Sequence, residues 1–215
     1  MTSAPAVGLF VVFEGGDGAG KSTQARLLAE TLRSRGHEVV LTREPGGTPA
    51  AEAIRDVVLD PRHAGLDDRA EALLFAASRG EHVASLIRPA LARGAVVVSD
   101  RYMDSSIAYQ GVARGLGAEV VAEINLWATR GLLPDLTVVL DVDAGTGLAR
   151  LESAPDRLEV EPEEFHATVV AAFRDLAAAE PERYLVLPAH DAVETIAAAV
   201  LARLDPLLAT REGSA

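Results

Sequence analysis

Eight residues near the start of the chain carry the sharpest chemical pattern. Gly15-Gly16-Asp17-Gly18-Ala19-Gly20-Lys21-Ser22 has the spacing G-x-x-x-x-G-K-[ST] of a phosphate cradle. Its four glycines let the backbone turn successive N–H groups toward one point, because positive φ costs glycine little. A helix starting at its end, through Ser22 and Thr23, adds partial positive charge there. Lys21 is placed to reach the β- and γ-phosphates of a nucleotide, and the Ser22 hydroxyl to ligate Mg²⁺. Of the 20 basic residues 19 are arginine, and Lys21 is the only lysine. A GC-rich coding bias explains the arginines and draws attention to the position where lysine survives.

A cradle of this kind needs an acid at the end of a second buried strand to hold the metal, often through water. Val96-Val97-Val98-Ser99-Asp100 and Val138-Val139-Leu140-Asp141 each offer one. Asp100 is favoured, because Arg101 follows at once and ligands of α/β sheets bind at the carboxyl ends of strands. Asp141 reads as a helix cap or loop acid.

These residues need a scaffold, and the hydrophobic pattern describes one. Continuous apolar runs at Leu9–Phe13, Glu38–Thr42, Ala95–Ser99, Thr137–Val142 and Tyr184–Leu187 predict short strands covered on both faces. Between them lie stretches with a period near 3.6 residues. In Ser22–Arg35 the apolar positions Ala25, Leu28, Ala29 and Leu32 share a face, and Gly36 supplies the stop. Pro89 predicts a kink or break in the long pattern from Asp67 to Arg93. Strand–helix alternation predicts an α/β, three-layer P-loop NTPase fold: a five-stranded parallel sheet flanked by helices, in a single domain. The polar stretches 43–50 and 150–162 are expected to be mobile functional loops, the second a short lid, and 1–6 and 206–215 flexible ends.

Composition excludes several functions. The chain has 215 residues and no cysteine, so disulfides, thiolate metal sites and cysteine nucleophiles are impossible. A formal net charge of −12 argues against generic duplex binding, which depends on many Lys/Arg–phosphate contacts. No run reaches the ~18 apolar residues of a membrane span, and the N-terminus lacks a basic, cleavable leader, so a cytoplasmic protein without membrane or nucleic-acid partners is expected.

A P-loop specifies nucleotide and metal, not a reaction. With one lysine, the Asn-Lys-x-Asp guanine reader of GTPases is absent, and the chain is too short for a motor with coupling domains. A compact kinase remains, whose second, anionic substrate arginines would grip with paired hydrogen bonds. Here the residues resemble a known family. Thr42-Arg43-Glu44-Pro45-Gly46-Gly47-Thr48, then Leu74-Phe75-Ala76-Ala77-Ser78-Arg79, then Asp100-Arg101-Tyr102 with Ser105-Ser106 and Ala108-Tyr109-Gln110-Gly111, are similar to bacterial thymidylate kinases, over about residues 8–205.

The resemblance implies transfer of a phosphoryl group from ATP, with Mg²⁺, to dTMP by a homodimer. It places Phe75 and Arg79 at thymine, and their i, i+4 spacing puts both on one helix face. Arg43 and Arg101 resemble the arginines that hold the acceptor monophosphate. Asp17 resembles an acid that contacts the sugar or orients an arginine. Tyr109 would pack where a 2′-hydroxyl would fall, with Ser106 and Gln110 near the base. Glu14 is a candidate buried acid behind the cradle. Gly18 follows Asp17, so the P-loop offers no arginine, and the transferring phosphoryl falls to the lid. Asp156-Arg157-Leu158-Glu159 matches the family's lid ending, and Arg150 and Arg157 are its candidates. The lid departs from many relatives in carrying Glu152, Ser153 and Ala154 where they have arginines. Rival readings are another pyrimidine nucleotide or deoxynucleoside kinase, and a nucleotide-sensing module without catalysis. A dimer face could lie around Ala118–Arg130 and Leu73–Ile87.

Overall fold

A computed structural model describes residues 8–150 and 155–212. Its five strands are β1 (Leu9–Glu14), β2 (Val39–Arg43), β3 (Val96–Asp100), β4 (Leu136–Asp141) and β5 (Tyr184–Pro188), each within a residue of the expected bounds. They form one parallel sheet in the order β2-β3-β1-β4-β5. The expectation of burial on both faces holds for β1, β3 and β4. The edge strands differ: Leu41 of β2 and Val186 of β5 are exposed, because each lacks a neighbour on one side.

β1 shows why the sheet has three layers. Leu9, Val11 and Phe13 point to one face and meet Leu28 and Leu32 of α1 (Lys21–Ser34) and Ile196, Val200 and Leu204 of α9 (Val193–Glu212). Phe10 and Val12 point to the other face, against Val83, Ile87, Tyr102 and Ile107. There α2 (Pro49–Leu59), α3 (Asp68–His82), α6 (Ala118–Thr129) and α8 (Glu163–Ala179) complete the cover.

Three sequence expectations are corrected. Of the kink or break expected at Pro89, the break does not occur: α3 passes into a π-helical stretch, Val83–Ile87, and continues as α4 (Arg88–Ala92). The Arg88 N–H reaches back five residues to the Val83 carbonyl, so the ladder is already widened where proline lacks its donor. Residues 206–212 are not a frayed end. They extend α9 past Pro206, and burial of Leu204 and Leu208 against α1 holds the helix together. The stretch 43–50 is shorter as a loop than expected, because Thr48 caps α2 by accepting the Ala51 N–H (3.3 Å) and Pro49 starts the helix. Positions 1–6 and 213–215 of the expected flexible ends, and Glu152, Ser153 and Ala154 of the lid, lie outside the described residues.

Candidate functional site

The sheet order puts β1 between β3 and β4, so the chain leaves β1 at a topological switch point, where α/β folds bind ligands. Register then aligns the chemistry. Phe13 and Arg43 both pair with Asp100, which brings the ends of β1, β2 and β3 level.

The cradle, 15–20, lies between β1 and α1. Gly18 has φ +71°, and any Cβ there would collide with the Gly147 carbonyl, so this turn admits only glycine. Lys21 opens α1 and is buried; its ammonium donates to the Gly16 carbonyl at 2.7 Å. Burial and the Arg101 guanidinium lower its pKa to about 8, against the opposing pull of Asp17 and Asp100. Ser22, in the first turn of α1, donates its hydroxyl to Asp100 Oδ2. Thr23 is half-buried one residue further along. Asp141, at the end of β4, pairs instead with Arg174 (2.9 Å).

A cavity of about 420 Å³ opens beside the cradle. Asp17, Lys21, Arg43 and Arg101 line it, and so do Phe75 and Arg79 of α3. Arg101 has φ +71°, a conformation L side chains rarely adopt, and follows β3 directly. Its guanidinium donates to the Gly15 carbonyl (3.1 Å), Ser105 Oγ (3.0 Å) and Asp17 Oδ1 (2.5 Å). Burial alone would raise the Asp17 carboxyl, but Arg101 and Lys21 hold it down at about 2. Tyr109 donates to Asp17 Oδ2 (2.7 Å), and Arg101 stacks over its ring at 5.4 Å. Behind them Glu14 is fully buried and accepts from the Tyr102 and Ser105 N–H groups (2.8 and 3.1 Å) and the Ser105 hydroxyl (2.6 Å). Burial, then the neighbouring Asp104, push its pKa to about 7.

Phe75 and Arg79 share the inner face of α3, as their spacing predicted. The Arg79 guanidinium is pinned on every side. Nε donates to Glu44 (2.6 Å), Nη1 to Ser106 (2.9 Å) and Asn125, and Nη2 to the Tyr102 carbonyl (2.9 Å). Four of five donors are thus used, leaving one N–H on Nη2. Tyr109 and Gln110 come from a second π-helical stretch, Ile107–Ala113, that continues α5 (Met103–Ser106). Packed between α3, α6 and α8, six consecutive residues, Ser106 to Gly111, are buried, which no helical period anticipates. Gln110 Nε2 donates to Glu71 (2.9 Å), and its buried Oε1 has no partner.

The lid arginines are not brought to the cradle. Arg157 is buried; its Nε donates to the Val58 carbonyl (2.8 Å) and Nη1 pairs with the fully buried Glu71 (2.7 Å). Arg114 also reaches Glu71 (3.4 Å), and Arg157 is the nearer of the two guanidiniums on this buried carboxylate. Arg150, just beyond α7 (Ala144–Leu148), is exposed and donates to the Ala189 carbonyl (3.2 Å). One cation escaped the sequence reading. Arg55 of α2 lines the cavity and donates to the Pro45 carbonyl (2.9 Å), its pKa lowered by burial and by Arg43. The available signal was its i+3 spacing from Glu52, the acid that clamps Arg43 at 2.6 and 3.1 Å.

Fold and cradle together define a P-loop nucleotide-binding protein. The family model for thymidylate kinase matches residues 13–200. The thymidylate kinase of Leifsonia xyli is 57% identical over 201 residues, covering 92% of this chain and 95% of its own. That of Clavibacter sepedonicus is 54% identical over 205 residues, covering 94% and 97%. The crystal structure of thymidylate kinase from Ehrlichia chaffeensis superimposes with a TM-score of 0.78 at 35% identity, covering 94% of this chain and all of that one. The chain belongs to the thymidylate kinase family.

Proposed function

We propose that the protein transfers the γ-phosphoryl group of ATP to dTMP, giving dTDP and ADP, a step toward dTTP. The observation that carries this reading is one cavity with cations at the cradle end and an aromatic ring beside a pinned guanidinium at the other. Phe75 stacks on the pyrimidine, and the remaining Arg79 N–H donates to its 4-oxygen. Ser106 holds Arg79, and Gln110 lies at the base edge. Arg43, Arg55 and Arg101 hold the acceptor phosphate, while Asp17 fixes Arg101 and Tyr109 against the deoxyribose.

The residues Gly15 to Thr23 cradle the donor phosphates, with the Lys21 ammonium among them. Ser22 and Asp100 fit Mg²⁺: they are hard oxygen donors in direct contact, and no cluster of three or more acidic or histidine ligands is needed for an ion that keeps waters and phosphate oxygens. Bound there, Mg²⁺ would neutralise phosphate charge. The acceptor oxygen is already an anion, so the protein supplies no base; Lys21 and Arg101 position and neutralise. Arg157 anchors the lid ending, and the exposed Arg150 is the described arginine left to swing toward the phosphates.

A second copy of the chain would cover α3 and α6, which pack together and leave Leu73 and Val120 exposed and Trp127 86% exposed. Among the described residues no helix is long and apolar enough to cross a membrane. The test is ADP formation with each nucleoside monophosphate in turn. Turnover with dTMP well above dCMP and dUMP is expected. Equal rates would favour a broader nucleotide kinase, and ATP loss without acceptor a nucleotide-sensing module.

A further inference from the structure

Behind the base end sits a buried histidine that the reaction itself does not require. His82, the last residue of α3, is fully buried. Its Nδ1 lies 2.9 Å from Glu44 Oε1, and its Nε2 lies 2.7 Å from Thr42 Oγ1. A carboxylate only accepts, so Nδ1 donates to Glu44. The other oxygen of Glu44 takes the Arg79 Nε at 2.6 Å. The imidazole also floors the turn after Pro45: a Cβ on Gly47, which has φ +89°, would fall 2.5 Å from Nε2.

We propose that His82 is a positioning residue for base selection: it fixes the Glu44 carboxylate, and through it the direction in which Arg79 presents its last free N–H. This rests on reading Arg79 as the group that faces the pyrimidine 4-oxygen. A carboxylate held on one side only can rotate, which slackens the Arg79 Nε contact and leaves the guanidinium on its bonds to Ser106, Asn125 and the Tyr102 carbonyl. A guanidinium so slackened meets the 4-amino group of cytosine at less cost, because it can shift its remaining N–H away from that group. Loss of His82 therefore erodes discrimination more than it erodes phosphate binding, which uses Lys21 and Arg101 some elements away.

The experiment compares kcat/KM for dTMP and dCMP, KM for ATP, and melting temperature in wild type, His82→Gln, His82→Asn and Thr42→Val. Asn places an amide N–H near the Nδ1 position; Gln carries its amide toward Thr42 and leaves Glu44 without that donor. His82→Gln is expected to lower the dTMP:dCMP ratio about tenfold or more, the worth of one hydrogen bond to a charged group. KM for ATP should stay within about twofold. His82→Asn should restore most of the ratio, and Thr42→Val should lower it by a smaller factor. Should His82→Gln fail to fold, Thr42→Val and His82→Asn still decide the matter. Equal ratios in wild type, Thr42→Val and the His82 variants, with only melting temperature moving, would make His82 structural and overturn the proposal. A wild type that does not separate dTMP from dCMP would instead sink the Arg79 reading. Loss of selectivity in Arg79→Gln with none in the His82 and Thr42 variants would sink this inference alone.

Discussion

The two ends of the cavity are built by different means. At the phosphate end the backbone does the work: a glycine turn, the first turn of α1 and the left-handed Arg101 fix where N–H groups and cations point. At the base end side chains hold one another, with Glu44, Ser106, Asn125 and the Tyr102 carbonyl converging on Arg79 from three separate stretches of chain. A backbone site tolerates any ligand with phosphates. A side-chain cage, fully satisfied except for one donor, rejects ligands that cannot accept it. On the proposed function, recognition of the nucleotide class and choice of the base are separated in space.

The largest effect that contrast predicts is in base choice. Arg79 cannot turn away from a 4-amino group, so kcat/KM for dTMP should exceed that for dCMP by ~10⁴, as in sites built around a polar group of the substrate. dUMP lacks only a methyl group and should fall behind dTMP by a factor of only about 10–200. Steady-state assays with the three monophosphates check both ratios. A dCMP penalty no larger than that for dUMP would show that the cage is not selective and would erase the distinction between the two ends.

Next in size is the phosphate end itself. Lys21→Ala should reduce kcat by ~10²–10³, the scale for removing one preorganised charge-stabilising donor, while the affinity for dTMP measured by calorimetry stays near wild type. Equal losses in dTMP binding would mean that the two ends are coupled rather than separate. Arg157→Ala should act differently from both. It removes the nearer of two guanidiniums on the buried Glu71 and leaves Arg114 at 3.4 Å, so a stability loss of about 1.5–3 kcal/mol is expected by chemical denaturation, against a cavity whose lining does not include Arg157.

The same contrast governs what could be read without a structure. The strands and the cradle were legible because their signals are local: unbroken apolar runs, and glycines at fixed spacing ahead of an amphipathic helix. Phe75 and Arg79 were placed on one face by helical period alone. What the period could not show was the two π-helical stretches, since a widened turn leaves no compositional trace, nor that α3, α6 and α8 would surround the second of them and bury Ser106 to Gly111 continuously. Nor could it show that Arg157 points to Glu71, 86 positions earlier, or that Glu44, His82 and Asn125 would meet around Arg79. Such contacts depend on how α2, α3 and α6 pack, and charge alone did not distinguish an arginine aimed at phosphate from one aimed at a buried acid.

A final prediction sharpens the comparison through pH. Both ends rest on a buried glutamate, but Glu44 is matched by Arg79 and His82, whereas Glu14 accepts mainly from neutral N–H and hydroxyl groups. Burial and Asp104 raise Glu14 from 4.5 to about 7, so the folded state binds a proton that the unfolded chain has released between those values. Its contribution to stability is full below pH 4.5 and is lost as pH rises through about 7, a fall of about 3 kcal/mol at 1.36 kcal/mol per pKa unit. The depressed Asp17 acts in the opposite direction only below its ordinary 3.8, outside this window. Glu14→Gln keeps an oxygen for the Tyr102 and Ser105 N–H groups and removes the titration. Urea denaturation at pH 5 and pH 8 should therefore show a smaller difference in the variant than in wild type. Parallel curves would place the pH sensitivity outside Glu14.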